Sequence, residues 1–317
     1  MTTVAPARSL LRITDLHPDE LEALLDLAVA MRGAPHGWRE ALDGELLACY
    51  FTKPSTRTRV SFEAAAWRLG MLPVMLRPDE LQLGRGEPLE DTARVLSSYA
   101  AGLVVRTYAQ ADVDGLARAA SVPVVNALTD EHHPCQALAD MLTLRDRFGP
   151  LDGLRIAYVG DGNNVAHSLI EAAPLLGMEI AVATPHGYEP DPAIVEEAQA
   201  AGRERAGRVL INHDPRLAVQ GAHAIYTDVW VSMGQEAERA ERVAALERYR
   251  VDEQIMSLAA ADAVFLHCLP AHRGDEVAPE VIDGPASAVW EQAANRLPTE
   301  QALLYALITG RWDTAAC

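Results

Sequence analysis

The chain has 317 residues, 49% of them hydrophobic and 23% charged, with 27 basic against 45 acidic side chains and a formal net charge of −18. That length suits two domains, each with enough apolar material for its own core, and the acidic balance excludes general nucleic-acid binding, because a polyanion is repelled over most of such a surface. The opening stretch from Met1 to Glu20 has no apolar core of signal-peptide length and no later run approaches the roughly 18 apolar residues of a membrane span, so a soluble, cytoplasmic protein with no membrane partner is expected.

The first predicted element is a helix over Pro18 to Arg32, with Pro18 in its first turn and Gly33 as its C-cap. Short apolar runs then predict strands at Leu46–Phe51, Pro73–Leu76, Leu103–Val105 and Pro123–Asn126, alternating with helical patterns. After the first strand comes KPSTRT. An isolated Ser-x-Arg reads as a helix N-cap with a solvated arginine. The unbroken run Ser55, Thr56, Arg57, Thr58, Arg59 instead concentrates hydroxyls, guanidinium groups and backbone N–H groups at a helix start, where the macrodipole favours an anion. A phosphate site is expected there, with Lys53 as a further loop cation. Arg106 closes the apolar run LVVR, and His133 stands before Pro134, where a helix begins. The turn Phe148–Gly153 marks the expected boundary. It gives domains over 1–148 and 149–288, with a C-terminal helix, about 289–317, packing back on the first domain.

The second half repeats the rhythm, with strands expected at Arg155–Val159, Glu179–Ala183, Arg208–Ile211, Ala224–Tyr226 and Ala263–Leu266. The fold class is therefore α/β, with two doubly wound domains, each a mostly parallel sheet flanked by helices. GDGNN, Gly160 to Asn164, follows the first of these strands and invites a dinucleotide reading, but Val165 stands at the third glycine position and Thr184 and Pro185 stand where an acidic ribose ligand belongs. A tight turn presenting Asn163 and Asn164 to a small polar ligand fits better. Asp228 follows AIYT, and His267, Cys268 and Leu269 follow AVFL. Residues of this kind at so many strand ends are expected to converge, because ligands of open α/β sheets bind outside the carboxyl ends of the strands. Arg57, Arg59, Arg106 and Arg296 would then form a positive pocket inside an acidic exterior. The four cysteines, Cys49, Cys135, Cys268 and Cys317, have neither disulfide-like nor zinc-like spacing, so free thiols are expected and no metal.

Taken in order, STRTR at Ser55–Arg59, HPCQ at His133–Gln136, DGNN at Asp161–Asn164, DVWVSMGQE at Asp228–Glu236 and HCLPAHRGDE at His267–Glu276 resemble the aspartate/ornithine carbamoyltransferase family, with SMG and HCLP resembling its ornithine branch. The resemblance spans nearly the whole chain. It implies transfer of a carbamoyl group from carbamoyl phosphate to the δ-amine of L-ornithine, in arginine metabolism, with no cofactor and no nucleic-acid partner. By the same resemblance, Ser55, Thr56, Arg57 and Thr58 hold phosphate, Arg106 and His133 polarise the carbonyl oxygen, and Gln136, Cys268, Leu269 and Arg296 also meet carbamoyl phosphate. Asn164, Asp228, Ser232 and Met233 are implied ornithine ligands, with Ser232–Gly234 in a loop that closes on the substrate. The resemblance further implies a homotrimer whose sites are completed by a neighbour's glutamine, for which Gln82 is the candidate. Acylated ornithine, putrescine or aspartate remain alternative acceptors. A regulatory binding protein and a nucleotide-dependent oxidoreductase are readings from other classes.

Overall fold

The computed structural model describes residues 7–77, 86–232 and 234–314. They form two compact units, one of Met1–Leu138 with Arg296–Cys317 and one of Ala139–Asn295. Among the described residues, no helix is long and apolar enough to cross a membrane.

The first unit runs α1 (Pro18–Gly33), β1 (Leu46–Phe51), α2 (Thr56–Arg68), β2 (Leu72–Leu76), α3 (Leu89–Leu96), β3 (Gly102–Arg106), α4 (Gln110–Ala119), β4 (Val124–Leu128) and the start of α5 (Pro134–Phe148). Its four strands are parallel in the order β2-β1-β3-β4. Every residue of β3 and β4 is buried, and both strands are largely apolar, as strands covered on both faces are, with Arg106 and Asn126 as the polar exceptions. β2 is an edge strand: Leu72 is exposed, and Pro73 is tolerated where a ladder donor is dispensable. α1 starts with Pro18, behind a reciprocal cap between His17 and Glu20. The expectation for its other end needs correction. Gly33 is the last helical residue, outside the left-handed region, and Ala34 caps the helix with its N–H on the Ala30 carbonyl, so no glycine is required there.

The second unit continues from α5 through β5 (Arg155–Val159), α6 (Asn164–Leu175), β6 (Glu179–Ala183), α7 (Pro192–Ala201), β7 (Arg208–Asn212), α8 (Pro215–Val219), β8 (Ala224–Tyr226), α9 (Arg239–Leu246), α10 (Glu253–Met256), β9 (Val264–Leu266), α11 (Pro279–Ile282) and the start of α12 (Val289–Thr309). Its five parallel strands take the order β7-β6-β5-β8-β9 over a core that includes Val159, Ile225, Trp230 and Phe265.

Both orders reverse direction once. In the first unit the chain leaves β1 for β2 on one side and returns to β3 on the other; in the second it leaves β5 for β6 and β7, then returns to β8. Such a reversal splays the two flanking connections apart and opens a crevice at the carboxyl ends of the neighbouring strands. The polar motifs flank those reversals: KPSTRT follows β1, Arg106 closes β3, GDGNN follows β5 and Asp228 follows β8.

Candidate active site

In the first unit, Ser55 is extended and caps α2, its hydroxyl accepting from the Thr58 N–H at 3.2 Å. The ordinary reading of that serine is thus part of the truth: one first-turn amide is already used. Thr56 and Arg57 stand exposed on the same turn, while Thr58 is buried. Arg59 does not join the expected positive pocket. It is two residues, about 200°, around the helix from Arg57, and it pairs with Glu63 one turn on at 3.0 Å. Lys53 takes the vacant role of a nearby cation, although its ammonium is buried against Asp130 and over the Tyr108 ring.

Arg106 reaches its place through a register shift. Val105 pairs with Asn126 but Arg106 pairs with Leu128, and the irregularity re-aims a buried arginine at the strand's end. His133 is buried before α5, its carbonyl accepting the first helical bonds from Gln136 and Ala137. Burial, then the positive charges of Arg296, Arg106, Arg57 and Lys53, hold its imidazole well below the usual histidine range. It is a neutral donor among cations. Because the folded value is depressed, His133 adds stability above pH about 6.5 that is lost as the pH falls below it. A pH titration by NMR from 8 to 5.5 should show the His133 ring neutral throughout; a His133 midpoint near 6.5 would overturn this electrostatic account.

Arg296 binds these pieces together. One guanidinium nitrogen donates to the Gln136 side-chain carbonyl at 2.8 Å, and another lies 3.4 Å from the Thr58 hydroxyl. Nε and Nη2 meet a single Glu300 carboxylate oxygen at 3.0 and 2.7 Å. Glu300, absent from the sequence expectations, is buried, and that burial pushes its carboxyl up to about 7 against the pull of Arg296. Its only sequence signal was a spacing of four from Arg296 on a helix. Gln82 lies outside the described residues.

In the second unit, Asp228 is the hub. One oxygen accepts from the Cys268 thiol at 2.9 Å and the other from the Asn163 amide at 2.7 Å. The first contact requires a protonated sulfur. Asn163 is not the ligand that the turn suggested: its carbonyl oxygen caps α6 by accepting from Val165 and Ala166 and also takes the Tyr158 hydroxyl at 3.1 Å, so its amide is fixed on Asp228. Asn164 begins α6 beside it, half-buried. Gly162 explains the glycine signature without a nucleotide, since a Cβ there would sit 2.4 Å from the Pro190 nitrogen and 2.6 Å from the Tyr188 carbonyl oxygen. The structure also adds Arg242, which in the sequence is one arginine among the charges of a helix. Its buried guanidinium pairs with Asp161 and donates to the Trp230 carbonyl at 2.7 Å, tying the GDGNN turn to the segment after Asp228.

Cys268 is half-buried beside a rigid frame. His267 is buried, accepts the Leu269 N–H on Nδ1 at 2.8 Å and faces buried Glu276 with Nε2 at 3.3 Å. Leu269 adopts φ +58 before a cis bond to Pro270. Ser232 is half-buried, with its N–H on the Gln235 side chain at 3.0 Å, and Met233 lies outside the described residues. Cys49 and Cys135 are buried thiols whose burial pushes their titration far up, so they are packing residues.

The first unit thus offers hydroxyls, a helix start, an exposed cation and a neutral imidazole among buried cations, a set suited to a phosphate next to a polarised carbonyl. The second offers a fixed carboxylate and a thiol, suited to an ammonium or amine. Residues 8–146 match the family described as aspartate/ornithine carbamoyltransferase, carbamoyl-P binding domain, and residues 152–307 match its Asp/Orn binding domain. The chain is 52% identical over 301 residues to an ornithine carbamoyltransferase of Acidothermus cellulolyticus, covering 95% of this chain and 96% of that one. A Symbiobacterium thermophilum protein of the same name is 51% identical over 306 residues, 96% and 98% of the two chains. The solved ornithine carbamoyltransferase of Pyrococcus furiosus superposes with a TM-score of 0.91 at 46% identity, covering 98% of this chain and 99% of that one.

Proposed function

Because this chain belongs to the aspartate/ornithine carbamoyltransferase family, we propose that it transfers the carbamoyl group of carbamoyl phosphate to the δ-amine of L-ornithine, giving L-citrulline and phosphate. The observation that carries the choice of acceptor is Asp228, a buried carboxylate at the end of β8 held by Cys268 and Asn163. A fixed anion of this kind is complementary to an ammonium-bearing acceptor.

In this reading Ser55, Thr56, Arg57 and Thr58 hold the phosphate. Thr58, Arg106 and His133 stabilise the charge that grows on the carbonyl oxygen. Gln136 and Leu269 orient the carbamoyl amide, and Arg296 fixes Gln136 and Thr58. Asn164, Ser232 and Met233 meet the α-carboxylate end of ornithine, with Asp228 on its ammonium and Cys268 beside the attacking amine. The neutral amine forms the new C–N bond, the C–O bond to phosphate breaks, and phosphate leaves with the electron pair and takes up the proton that the amine gives up. Catalysis is then positioning and charge stabilisation, with no covalent enzyme intermediate.

Purified protein given carbamoyl phosphate and L-ornithine in excess EDTA should form citrulline, and should fail with N-acetylornithine, putrescine and aspartate. Turnover of putrescine without ornithine turnover would refute the acceptor. Cys268→Ala is expected to raise the ornithine KM and slow turnover by about tenfold in kcat/KM, the worth of one hydrogen bond near its upper range, while leaving activity. Total loss, or carbamoylated wild-type protein trapped on Cys268, would point to covalent catalysis instead. We further propose a cytoplasmic homotrimer acting in arginine biosynthesis, with Gln82 given to the neighbouring subunit's site; light scattering of the purified chain tests the assembly.

A further inference from the structure

The loops that follow β6 and β7 bring together His186, Glu189 and His213, whose candidate ligand atoms all lie within 4.8 Å of one another. None belongs to the substrate machinery described above. The pairwise gaps are close to those of a coordination sphere: His186 Nδ1 is 3.5 Å from Glu189 Oε1, and His213 Nε2 is 4.0 Å from the same oxygen. Ligands at about 2.0–2.1 Å from a tetrahedral ion stand about 3.4 Å apart. The two imidazoles pack against each other with ring centroids 3.7 Å apart, tilted at 39°, so exposed His186 must turn outward for both nitrogens to face one ion.

Two further contacts separate this group from an ordinary polar surface. His213 Nδ1 lies 2.8 Å from the Thr184 carbonyl oxygen, which can only accept, so Nδ1 carries the proton and Nε2 of the neutral ring presents its lone pair toward Glu189. A backbone carbonyl behind a histidine is the arrangement that orients and strengthens metal-ligating imidazoles. Glu189 is fixed in the same sense, its Oε2 accepting the Gly187 N–H at 2.7 Å. The intervening loop is clamped as well: the Tyr188 carbonyl accepts from the Thr184 hydroxyl at 2.6 Å and from the Gly162 N–H at 2.8 Å. His186 and Glu189 on this pinned loop, with His213 after β7, form a preorganised set with solvent positions left for water.

We propose that His186, Glu189 and His213 bind a divalent transition-metal ion, zinc being the best match to two nitrogens and one carboxylate oxygen. The acidic exterior, at a formal charge of −18, concentrates cations around it. Binding requires neutral imidazoles and so weakens as the pH falls.

The test is titration of the intact protein with Zn²⁺ by isothermal calorimetry at pH 7.5, alongside His186→Gln and His213→Ala. A second group, Asp228, His267 and Cys268, has similar spacing and sits among the proposed substrate ligands, so the difference between wild type and variants is what decides. One binding event in the wild type should be weakened at least about tenfold in both variants, in line with the sensitivity of metal sites to their supporting residues, with citrulline formation in EDTA unchanged. Zinc anomalous scattering from soaked wild-type crystals should peak between the three side chains. His186 is 83% exposed, so His186→Gln leaves folding intact. Identical isotherms for wild type and His186→Gln, or no anomalous peak at that position, would overturn the assignment.

Discussion

Arg57→Ala is expected to lower kcat/KM for carbamoyl phosphate by about 10³, at the upper end of what one preorganised charge donor is worth in transition-state stabilisation. The arginine is exposed on the first turn of α2, immediately after the Ser55 cap. Its proposed contribution grows during the reaction, because the departing phosphate carries more charge than the bound acyl phosphate did. A planar guanidinium can meet two phosphate oxygens at once, whereas an ammonium meets them as a point charge, so Arg57→Lys should recover only a minor part of the loss. An exposed side chain contributes little to the fold, and thermal unfolding should be unchanged within a degree or two. Steady-state kinetics with both substrates varied separate the alternatives. The ornithine KM should stay near its wild-type value while the carbamoyl phosphate term collapses. A loss below about tenfold would mean that the phosphate is held elsewhere.

The sheet architecture was legible because parallel strands buried on both faces are written as apolar runs. The strands β1, β5, β6 and β8 coincide with the runs LLACYF, RIAYV, EIAVA and AIY. Other limits moved by a residue or two, in two strands because a polar side chain continues the ladder, Arg106 at the end of β3 and Asn212 at the end of β7. Motif residues were legible for a different reason: their types are rarely placed at strand ends without a polar partner or ligand. Three kinds of information were not. The direction of a side chain around a helix sent Arg59 to Glu63 and away from the anion site, although it is only two residues from Arg57. The division of labour between neighbours made Asn163 the support of Asp228, where the sequence offers only a pair of adjacent asparagines. Partners far apart in sequence, such as Asp161 with Arg242, leave no local trace, since each end looks like any charged surface residue until the fold buries both.

Arg296→Met should unfold the first unit more readily by about 3–5 kcal/mol at pH 8, the penalty for stranding one member of a buried ion pair. The guanidinium and the Glu300 carboxylate are 4% and 1% exposed, so water does not replace the lost partner. The effect should depend on pH in a stated direction. Glu300 already has its carboxyl raised from 4.5 to about 7 in the fold with Arg296 present, chiefly by burial. A raised folded value means that its contribution to stability is fully present below about 4.5 and is lost as the pH climbs through about 7. Removing the arginine raises the folded value further. The variant should therefore regain much of its stability between pH 8 and pH 6, where Glu300 takes up a proton, while the wild type changes less. Urea unfolding at those two pH values measures this directly. The double variant Arg296→Met, Glu300→Leu then separates folding from function. Replacing a buried pair by apolar side chains of similar size is often neutral or stabilising, so stability should return at both pH values. Citrulline formation should not, because Gln136 and Thr58 have lost the guanidinium that holds them. If the double variant were both stable and active, Arg296 would be a structural residue alone, and the proposed carbamoyl phosphate site would have to function without it.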